Sequence, residues 1–298
     1  MSAVPVILNP TAGGGRLLRH RLQLDATAQR LGTRLEWWTT DEAGDGETLA
    51  RRAADEGHPL VLAWGGDGTY NEVARGLLGS STAMGIVPGG TTSVLAYELA
   101  VPRPAPKALE PLLRGHDRPV HVGRSDHGDV VVLMLSAGPD SIVVAEAFRR
   151  RTRNDGKVGI ARQGVREFFG RRPLPRLRVR ADGDELEGGW VIVGNSTCYG
   201  GKARATPGAD PFTPGFEVVV QSGVGRRAAV GFGAALVLGR HVHRRDVVRR
   251  LASKVVIEPI DPGVEIPYQV DGDPIMALPV TLEVDERTLL MRIPRPPS

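Results

Sequence analysis

The sequence predicts an α/β domain followed by a mainly antiparallel β domain, and three observations carry that reading. Over the first hundred residues, short apolar runs alternate with helical patterns. Such alternation predicts a doubly wound parallel sheet with helices on both faces. The runs Val4–Leu8, Leu60–Trp64 and Met84–Val87 are continuously apolar, as strands buried on both sides are. From about Val120 onward, strand-like runs dominate. The change falls after the Pro-rich stretch Val101–Pro106 and sets domains 1–119 and 120–298.

The elements follow in order. Val4–Leu8 stops at Asn9-Pro10. Leu17, Leu18, Leu22, Leu24, Ala28 and Leu31 suit a helix closed by Gly32. Thr33–Thr40 has strand composition, and Thr48–Glu56 is helical with Leu49, Ala50, Ala53 and Ala54 inward. Helices are expected at Asn71–Leu78, Thr92–Leu99 and Ala108–Arg114. In the second part, strands are expected at Val130–Leu135, Leu177–Arg180, Trp190–Gly194, Phe216–Gln221, Val255–Ile260, Val280–Val284 and Leu289–Ile293. Helices are expected at Ile142–Arg151, Val158–Phe169 and Arg226–Leu238, and Asp182-Gly183 reads as a hairpin turn.

Composition narrows the function classes. Among 298 residues, 38 Lys and Arg against 34 Asp and Glu with 41% hydrophobic residues exclude a disordered, collagen-like or coiled-coil chain. The longest strictly aliphatic run, Val130–Leu135, is far short of the roughly 20 residues of a membrane-spanning helix. Met1–Pro5 lacks the basic-then-apolar pattern of a signal peptide. One cysteine, Cys198, allows neither an internal disulfide nor a cysteine zinc cluster. The expectation is a soluble cytoplasmic protein. Aromatic residues make up only 5%, so no nucleic-acid partner is expected. Trp37, Trp38, Trp64 and Trp190 read as core or rim, Cys198 as a small packed residue, and His241 and His243 as solvated on a basic stretch.

Three glycine-rich segments carry the chemistry. Each follows a strand and precedes a helix: Asn9-Pro10-Thr11-Ala12-Gly13-Gly14-Gly15, Gly65-Gly66-Asp67-Gly68-Thr69-Tyr70-Asn71-Glu72-Val73, and Gly85-Ile86-Val87-Pro88-Gly89-Gly90-Thr91-Thr92-Ser93. Glycines let backbone approach phosphates, and a helix N-terminus adds N–H donors and a positive dipole end. Turns at the carboxyl ends of parallel strands converge on one crevice, where doubly wound folds bind ligands. Thr69 and Glu72 have capping-box spacing. That explains neither the three glycines nor Asp67, a carboxylate able to hold a phosphate-bound metal or orient a hydroxyl.

The three motifs resemble the diacylglycerol kinase catalytic-domain family, which includes sphingosine, ceramide and bacterial lipid kinases. Gly65-Gly66-Asp67-Gly68-Thr69-x-Asn71-Glu72-Val73 is its most specific signature. The related NAD kinases and phosphofructokinases share the Gly-Gly-Asp-Gly part without the Asn-Glu. Asn9-Pro10 is similar to the family's nucleotide loop, and Thr40 and Thr91 match threonines at its nucleotide. Ser136-Ala137-Gly138-Pro139-Asp140 with Gly156-Lys157-Val158-Gly159, and Gly194-Asn195 with Tyr199-Gly200-Gly201, resemble later family segments. Asp271-Gly272-Asp273 stands where the family has Asp-Gly-Glu, and Ser93 where it has Asn. Acidic residues that hold a structural Mg²⁺ in many bacterial members are reduced here to Asp210 and Glu217 within residues 207–217, and the prolines there suggest a rigid loop.

The resemblance spans about Val4 to Ile293. It implies an NAD kinase/phosphofructokinase-like nucleotide-binding domain, a C-terminal β-sandwich, and an active site between them. It implies a lipid kinase of phospholipid metabolism, transferring the γ-phosphoryl group of ATP to a lipid hydroxyl. The implied nucleotide contacts are Asn9, Pro10, Gly14, Thr40, Gly65, Gly66, Asp67, Gly68, Thr69, Asn71, Glu72, Gly90 and Thr91. Asp67 is implied as the Mg²⁺ ligand, and Asp271 as the base that accepts the hydroxyl proton. For Asp271-Gly272 the residues alone suggest a hairpin turn. Competing readings are an NAD kinase-like enzyme and an inactive nucleotide- or lipid-binding relative.

Charge suggests where such a protein works. Residues 149–180 hold twelve Arg and Lys against two acids, and Arg240, Arg244, Arg245, Arg249, Arg250 and Lys254 stand against Asp246 alone. Clustered basic charge favours an anionic bilayer, consistent with a lipid substrate and a peripheral place on the inner face of the membrane. The alternative is an Arg-rich solvated face. Oligomeric state is left open by the sequence.

Overall fold

The computed structural model describes residues 3–15, 17–90, 92–149 and 174–295. The expected helix Val158–Phe169, the Lys157 segment and the core of the first basic cluster lie outside them. The chain divides into two compact units. The first comprises Met1–Val122, Gly200–Lys202 and Glu286–Ser298, and the second Gly123–Tyr199 and Ala203–Asp285.

In the first unit, β1 (Ala3–Leu8), β2 (Arg34–Thr39), β3 (Leu60–Gly65), β4 (Ala83–Pro88) and β5 (His116–Val120) share a sheet with the last strand, β20 (Leu289–Ile293). The order is β2-β1-β3-β4-β20-β5. β1 to β4 run parallel, β20 is parallel to β4, and β5 is antiparallel to β20. Every residue of β3 and β4 is buried, which accounts for their unbroken apolar runs. The C-terminal strand thus joins the first sheet, a long-range pairing that a local pattern does not disclose.

The helices are α1 (Arg21–Arg30), α2 (Asp45–Asp55), α3 (Asp67–Leu77), α4 (Val94–Glu98) and α5 (Ala105–Leu113). The first expected helix is not continuous. Leu17–His20 forms a 3₁₀ turn, whose three-residue period breaks the stripe. Leu17, Leu24 and Ala28 are buried, while Leu18 and Leu22 face solvent.

The second unit stacks two six-stranded sheets. Its strands are β6 (Gly123–Ser125), β7 (Val130–Val131), β8 (Met134–Ala137), β9 (Leu177–Ala181), β10 (Asp184–Gly188), β11 (Trp190–Gly194), β12 (Cys198–Tyr199), β13 (Ala203–Arg204), β14 (Phe216–Gln221), β15 (Val247–Ala252), β16 (Lys254–Pro259), β17 (Pro267–Val270), β18 (Asp273–Ala277) and β19 (Val280–Val284). One sheet has the order β10-β9-β16-β19-β6-β7, the other β15-β14-β11-β8-β17-β18. Their facing residues form one core: Leu177, Val179, Val255, Ile257 and Leu282 meet Leu135, Val191, Val193, Val218 and Tyr268. The period-two spacing within each strand is that of a sandwich. α6 (Pro139–Arg149) and α7 (Arg226–Val237) complete this unit. α6 packs on β8, β17 and β18, and Phe232 of α7 packs edge-on against Trp190 at 5.0 Å.

Two further expectations change. The run Val130–Leu135 is not one strand, because β7 ends at Val131 and β8 begins at Met134. His241 is buried against Phe232, with Nε2 2.8 Å from the Ala205 carbonyl oxygen. Burial pushes its pKa down. Asp182-Gly183 forms the β9–β10 turn, with φ of 46° and 100°. Trp64 is fully buried, and Cys198 is buried without a disulfide.

Candidate functional site

In the first unit, β1, β3 and β4 are consecutive and parallel, so their C-terminal turns lie side by side. Asn9 joins two of them. Its Oδ1 accepts from the Thr11 N–H at 3.0 Å and hydroxyl at 2.8 Å, and its Nδ2 donates to Thr69 Oγ1 at 3.3 Å. Its own N–H donates to the Trp64 carbonyl at 3.1 Å. Gly13, Gly14 and Gly15 have φ of 60°, 72° and 74°, a left-handed run only glycine adopts without strain. A Cβ on Gly13 would lie 2.5 Å from the Gly89 carbonyl oxygen.

The Gly65 carbonyl fastens the other two turns. It accepts from Gly89 N at 2.9 Å and Gly90 N at 2.7 Å, and the buried Tyr70 hydroxyl donates to it at 2.8 Å. A Cβ on Gly90 would stand 2.8 Å from Gly66 Cα, and one on Gly65 would collide with Thr69. The loops are packed backbone to backbone. Thr40 follows β2 and is buried, with its N–H donating to Leu8 O at 3.0 Å. Pro10 is half-buried and Gly68 exposed, while Thr91 lies outside the described residues.

Asp67 opens α3. Its carboxylate accepts from Thr92 Oγ1 at 3.3 Å and Leu95 N at 3.4 Å. Burial raises its pKa, against the pull of these donors and of Arg103. Arg103 carried no sequence signal. Its Nη2 donates to Gly90 O at 2.7 Å, and its Nη1 to Thr92 O and the Tyr97 hydroxyl at 3.0 Å each. Ser93 has φ 45°, the left-handed region where Asn is favoured over Ser.

Thr69 and Glu72 do not make the capping box their spacing suggests. The helix begins ahead of Thr69, at Asp67, with Gly66 as N-cap and no side-chain cap. Glu72 reaches instead to α2, where Oε2 accepts from Gly46 N at 3.1 Å. Arg75 donates to Asn71 Oδ1 at 2.9 Å and to Glu47 Oε2 at 3.0 Å. These bonds of the Asn-Glu pair clasp α3 to α2.

In the second unit, Asp271-Gly272 is the two-residue connection between β17 and β18, with φ of 53° and 95°. This is the type I′ pattern of tight hairpins. The turn also aims a carboxylate: Asp271 accepts from Val132 N at 3.0 Å, Leu133 N at 2.9 Å and Met134 N at 2.8 Å. Those three N–H groups span the break between β7 and β8, which explains the interrupted run. Asp273, the next acid, is exposed at the start of β18.

A polar chain leaves this turn. Gly272 N donates to Gln269 Oε1 at 2.7 Å, and Gln269 Nε2 donates to Ser136 Oγ at 2.7 Å. Ser136 donates in turn to Asp140 Oδ2, which also accepts the Tyr199 hydroxyl at 2.5 Å. Asp140 Oδ1 is buried without a hydrogen-bond partner among the described residues. Burial raises the pKa of Asp140, and burial beside that acid raises Tyr199's further. Asp140 and Tyr199 line a cavity of about 700 Å³ whose other walls are Pro139, Val143, Val144, Trp190 and the α7 residues Ala229, Val230, Gly233, Ala234, Val237 and Leu238. The cavity's apolar residues are scattered over three elements, so no local motif could reveal it.

In residues 207–217, Glu217 accepts from Gly208 N at 2.6 Å and pairs with Arg249, while Asp210 accepts from Phe212 N at 3.0 Å. No cluster of three metal-ligating side chains occurs among the described residues. Much of the described basic charge is paired: Arg176 with Asp261, Arg180 with Glu258, Arg244 with Asp246 and Arg250 with Asp184. No described helix is long and apolar enough to cross a membrane.

Comparison with known proteins fits both units. Residues 3–125 match the diacylglycerol kinase catalytic domain, and residues 133–292 the YegS C-terminal NAD kinase beta sandwich-like domain. A diacylglycerol kinase of Bacillus subtilis is 24% identical over 86% of this chain and 86% of its own. A diacylglycerol kinase of Mycobacterium tuberculosis is 25% identical over 98% of this chain and 95% of its own. A crystal structure of a diacylglycerol kinase from Bacillus anthracis superimposes with a TM-score of 0.71, covering 98% of this chain and 96% of that one at 20% identity. The likeness to that structure establishes the fold. The two domain matches together define the class, that of the diacylglycerol kinase-like proteins. Within it, the chain belongs to the diacylglycerol kinase catalytic-domain family, with the YegS-type β-sandwich at its C-terminus.

Proposed function

We propose that the protein is an ATP-dependent lipid kinase, transferring the γ-phosphoryl group to a hydroxyl of a lipid such as diacylglycerol or a sphingoid base. One observation carries this reading furthest. An apolar cavity of about 700 Å³ has a buried carboxylate oxygen with no partner among the described residues, and hydrogen bonds link that acid to the Asp271 turn. A long apolar chain with one hydroxyl at its end fits such a cavity. Its polar head would lie against the buried Asp140 carboxylate, with the reacting hydroxyl left free for Asp271.

The glycine-rich turns of the first unit take the nucleotide in this reading. Asn9, Pro10, Gly14, Thr40, Gly65, Gly66, Gly68, Thr69, Gly90 and Thr91 surround the phosphates, while Asn71 and Glu72 act by holding α3 in place. Asp67 supplies the carboxylate for Mg²⁺, an ion usually held by one or two carboxylates together with substrate phosphates and water. The lone acid of the Gly65–Gly68 turn suits that mode. When bound, Mg²⁺ neutralises charge on the phosphates. Asp271 accepts the proton of the lipid hydroxyl as its oxygen bonds to phosphorus and the bond to the departing ADP breaks. Its three backbone donors fix the carboxylate for that task. A lipid substrate places the protein peripherally on the cytoplasmic face of a membrane.

The test is transfer of labelled γ-phosphate from ATP with Mg²⁺ into a mixed lipid panel. The expected result is one labelled lipid class that disappears with Asp271→Asn. Label in NAD instead would favour an NAD kinase-like reading. ATP binding with no labelled product would favour an inactive relative.

A further inference from the structure

On α7, Arg227, Val230, Ala234 and Val237 follow one another at spacings of three and four, so they share a helix face. Leu238 follows directly. Val237 is 79% exposed, Leu238 69% and Val230 46%. The helix secures itself with its other face, through buried Ala229, Phe232 and Leu236. The exposed residues therefore have no packing role in the unit. Phe148 on α6, 58% exposed, continues the line of Asp140 and Val144 at four-residue steps. Val230, Val237, Leu238 and Val144 also line the cavity. The exposed apolar edge and the cavity wall are one continuous surface.

Basic residues bracket that edge. Arg227 stands in the first turn of α7, and Arg240 and Arg245 come just after the helix. All three are exposed, and none has an acidic partner among the described residues. Their neighbours Arg244, Arg249, Arg250 and Lys254 pair with Asp246, Glu217, Asp184 and Glu283. An apolar stripe flanked by unpaired arginines is the pattern of a surface that lies in an anionic lipid interface.

We infer that the outer edge of α7, with Phe148 of α6, docks on an anionic bilayer and opens the cavity directly to its acyl region. The inference deepens the lipid-kinase reading and rests on it. Val230, Val237 and Leu238 enter the apolar layer, while Arg227, Arg240 and Arg245 meet lipid phosphates. The acceptor then slides along apolar wall into the cavity without crossing water.

The test is sedimentation of the full chain with phosphatidylcholine vesicles, with and without phosphatidylglycerol. Each basic residue at such a surface contributes about 1 kcal/mol. Arg227→Ala with Arg240→Ala should therefore weaken partitioning onto phosphatidylglycerol vesicles about 30-fold. Phosphorylation of a short-chain diacylglycerol dispersed as monomers should stay at the wild-type rate, since neither arginine lines the cavity. Wild-type partitioning by the double variant, or equal partitioning of the wild type onto both vesicle types, would overturn the inference. Salt-sensitive vesicle binding with no phosphorylation of the monomeric acceptor would leave the docking face standing and sink the lipid-kinase reading instead.

Discussion

The glycine turns of the first unit and the Asp271–Asp140 region of the second solve the problem of placing polar groups in opposite ways. In the first unit the geometry is made by backbone. The Gly65 carbonyl takes two N–H donors from the neighbouring turn, and Gly90 approaches Gly66 too closely for any side chain. In the second unit it is made by side chains: Asp271 gathers three N–H groups, and Gln269 and Ser136 carry the connection to Asp140. A backbone site fails when bulk is added. A side-chain site fails when one functional group is exchanged.

The largest effect expected from that contrast is at Gly90. Gly90→Val adds branched bulk where a single Cβ is already 2.8 Å from Gly66 Cα, so nucleotide affinity should fall at least about 100-fold, measured by titration calorimetry. Partitioning onto lipid vesicles should not change. Asp271→Asn should lower kcat by about 10² to 10⁴, the usual share of a general base, with nucleotide affinity unchanged. The amide also turns an N–H₂ toward the Asp271 donors, so modest loss of thermal stability should accompany it. A smaller effect is expected for Gln269→Leu. It leaves Gly272 N without its acceptor, at about 1–3 kcal/mol, and should lower kcat about 10-fold. Gln269→Glu keeps an oxygen for that N–H and should recover part of the loss in the same assay.

The smallest expected effect is in pH dependence. Burial raises the pKa of Asp140, so the folded chain holds this proton more tightly than the unfolded one. Its contribution is full below the unfolded carboxylate value of about 3.9 and is lost as pH rises through the folded value. Asp140→Asn removes that descent. In thermal unfolding across pH, the variant should gain on the wild type as pH increases. A constant difference would mean that Asp140 is not held in a charge-averse setting.

Much of the first unit was legible because its signals are local. Strand, glycine-rich turn and helix follow within about ten residues, and the turns cluster because β1, β3 and β4 are neighbours. What the sequence concealed depends on distant partners. Glu72 looked like a cap, but its acceptor role is toward Gly46, 26 positions away in the chain. Arg103 sits in a Pro-rich stretch with no pattern, and only folding brings it to Gly90 and Thr92. Val130–Leu135 read as one strand because composition cannot show that Asp271 draws the middle N–H groups out of the ladder. The strand Leu289–Ile293 was visible as a strand, but not its place beside β4. Asp140 was visible within a family-like segment; its cavity was not, since α6, α7 and β11 each supply only a few wall residues.

In the proposed reaction labour is divided, with nucleotide at the backbone-built turns and lipid acceptor at the Asp140 cavity. Steady-state kinetics of phosphate transfer for Gly90→Ala and Asp140→Asn, each with nucleotide and lipid varied separately, tests that division directly. Gly90→Ala should raise KM for ATP alone, and Asp140→Asn should raise KM for the lipid alone. A rise in KM for ATP with Asp140→Asn, the lipid KM holding steady, would contradict that division.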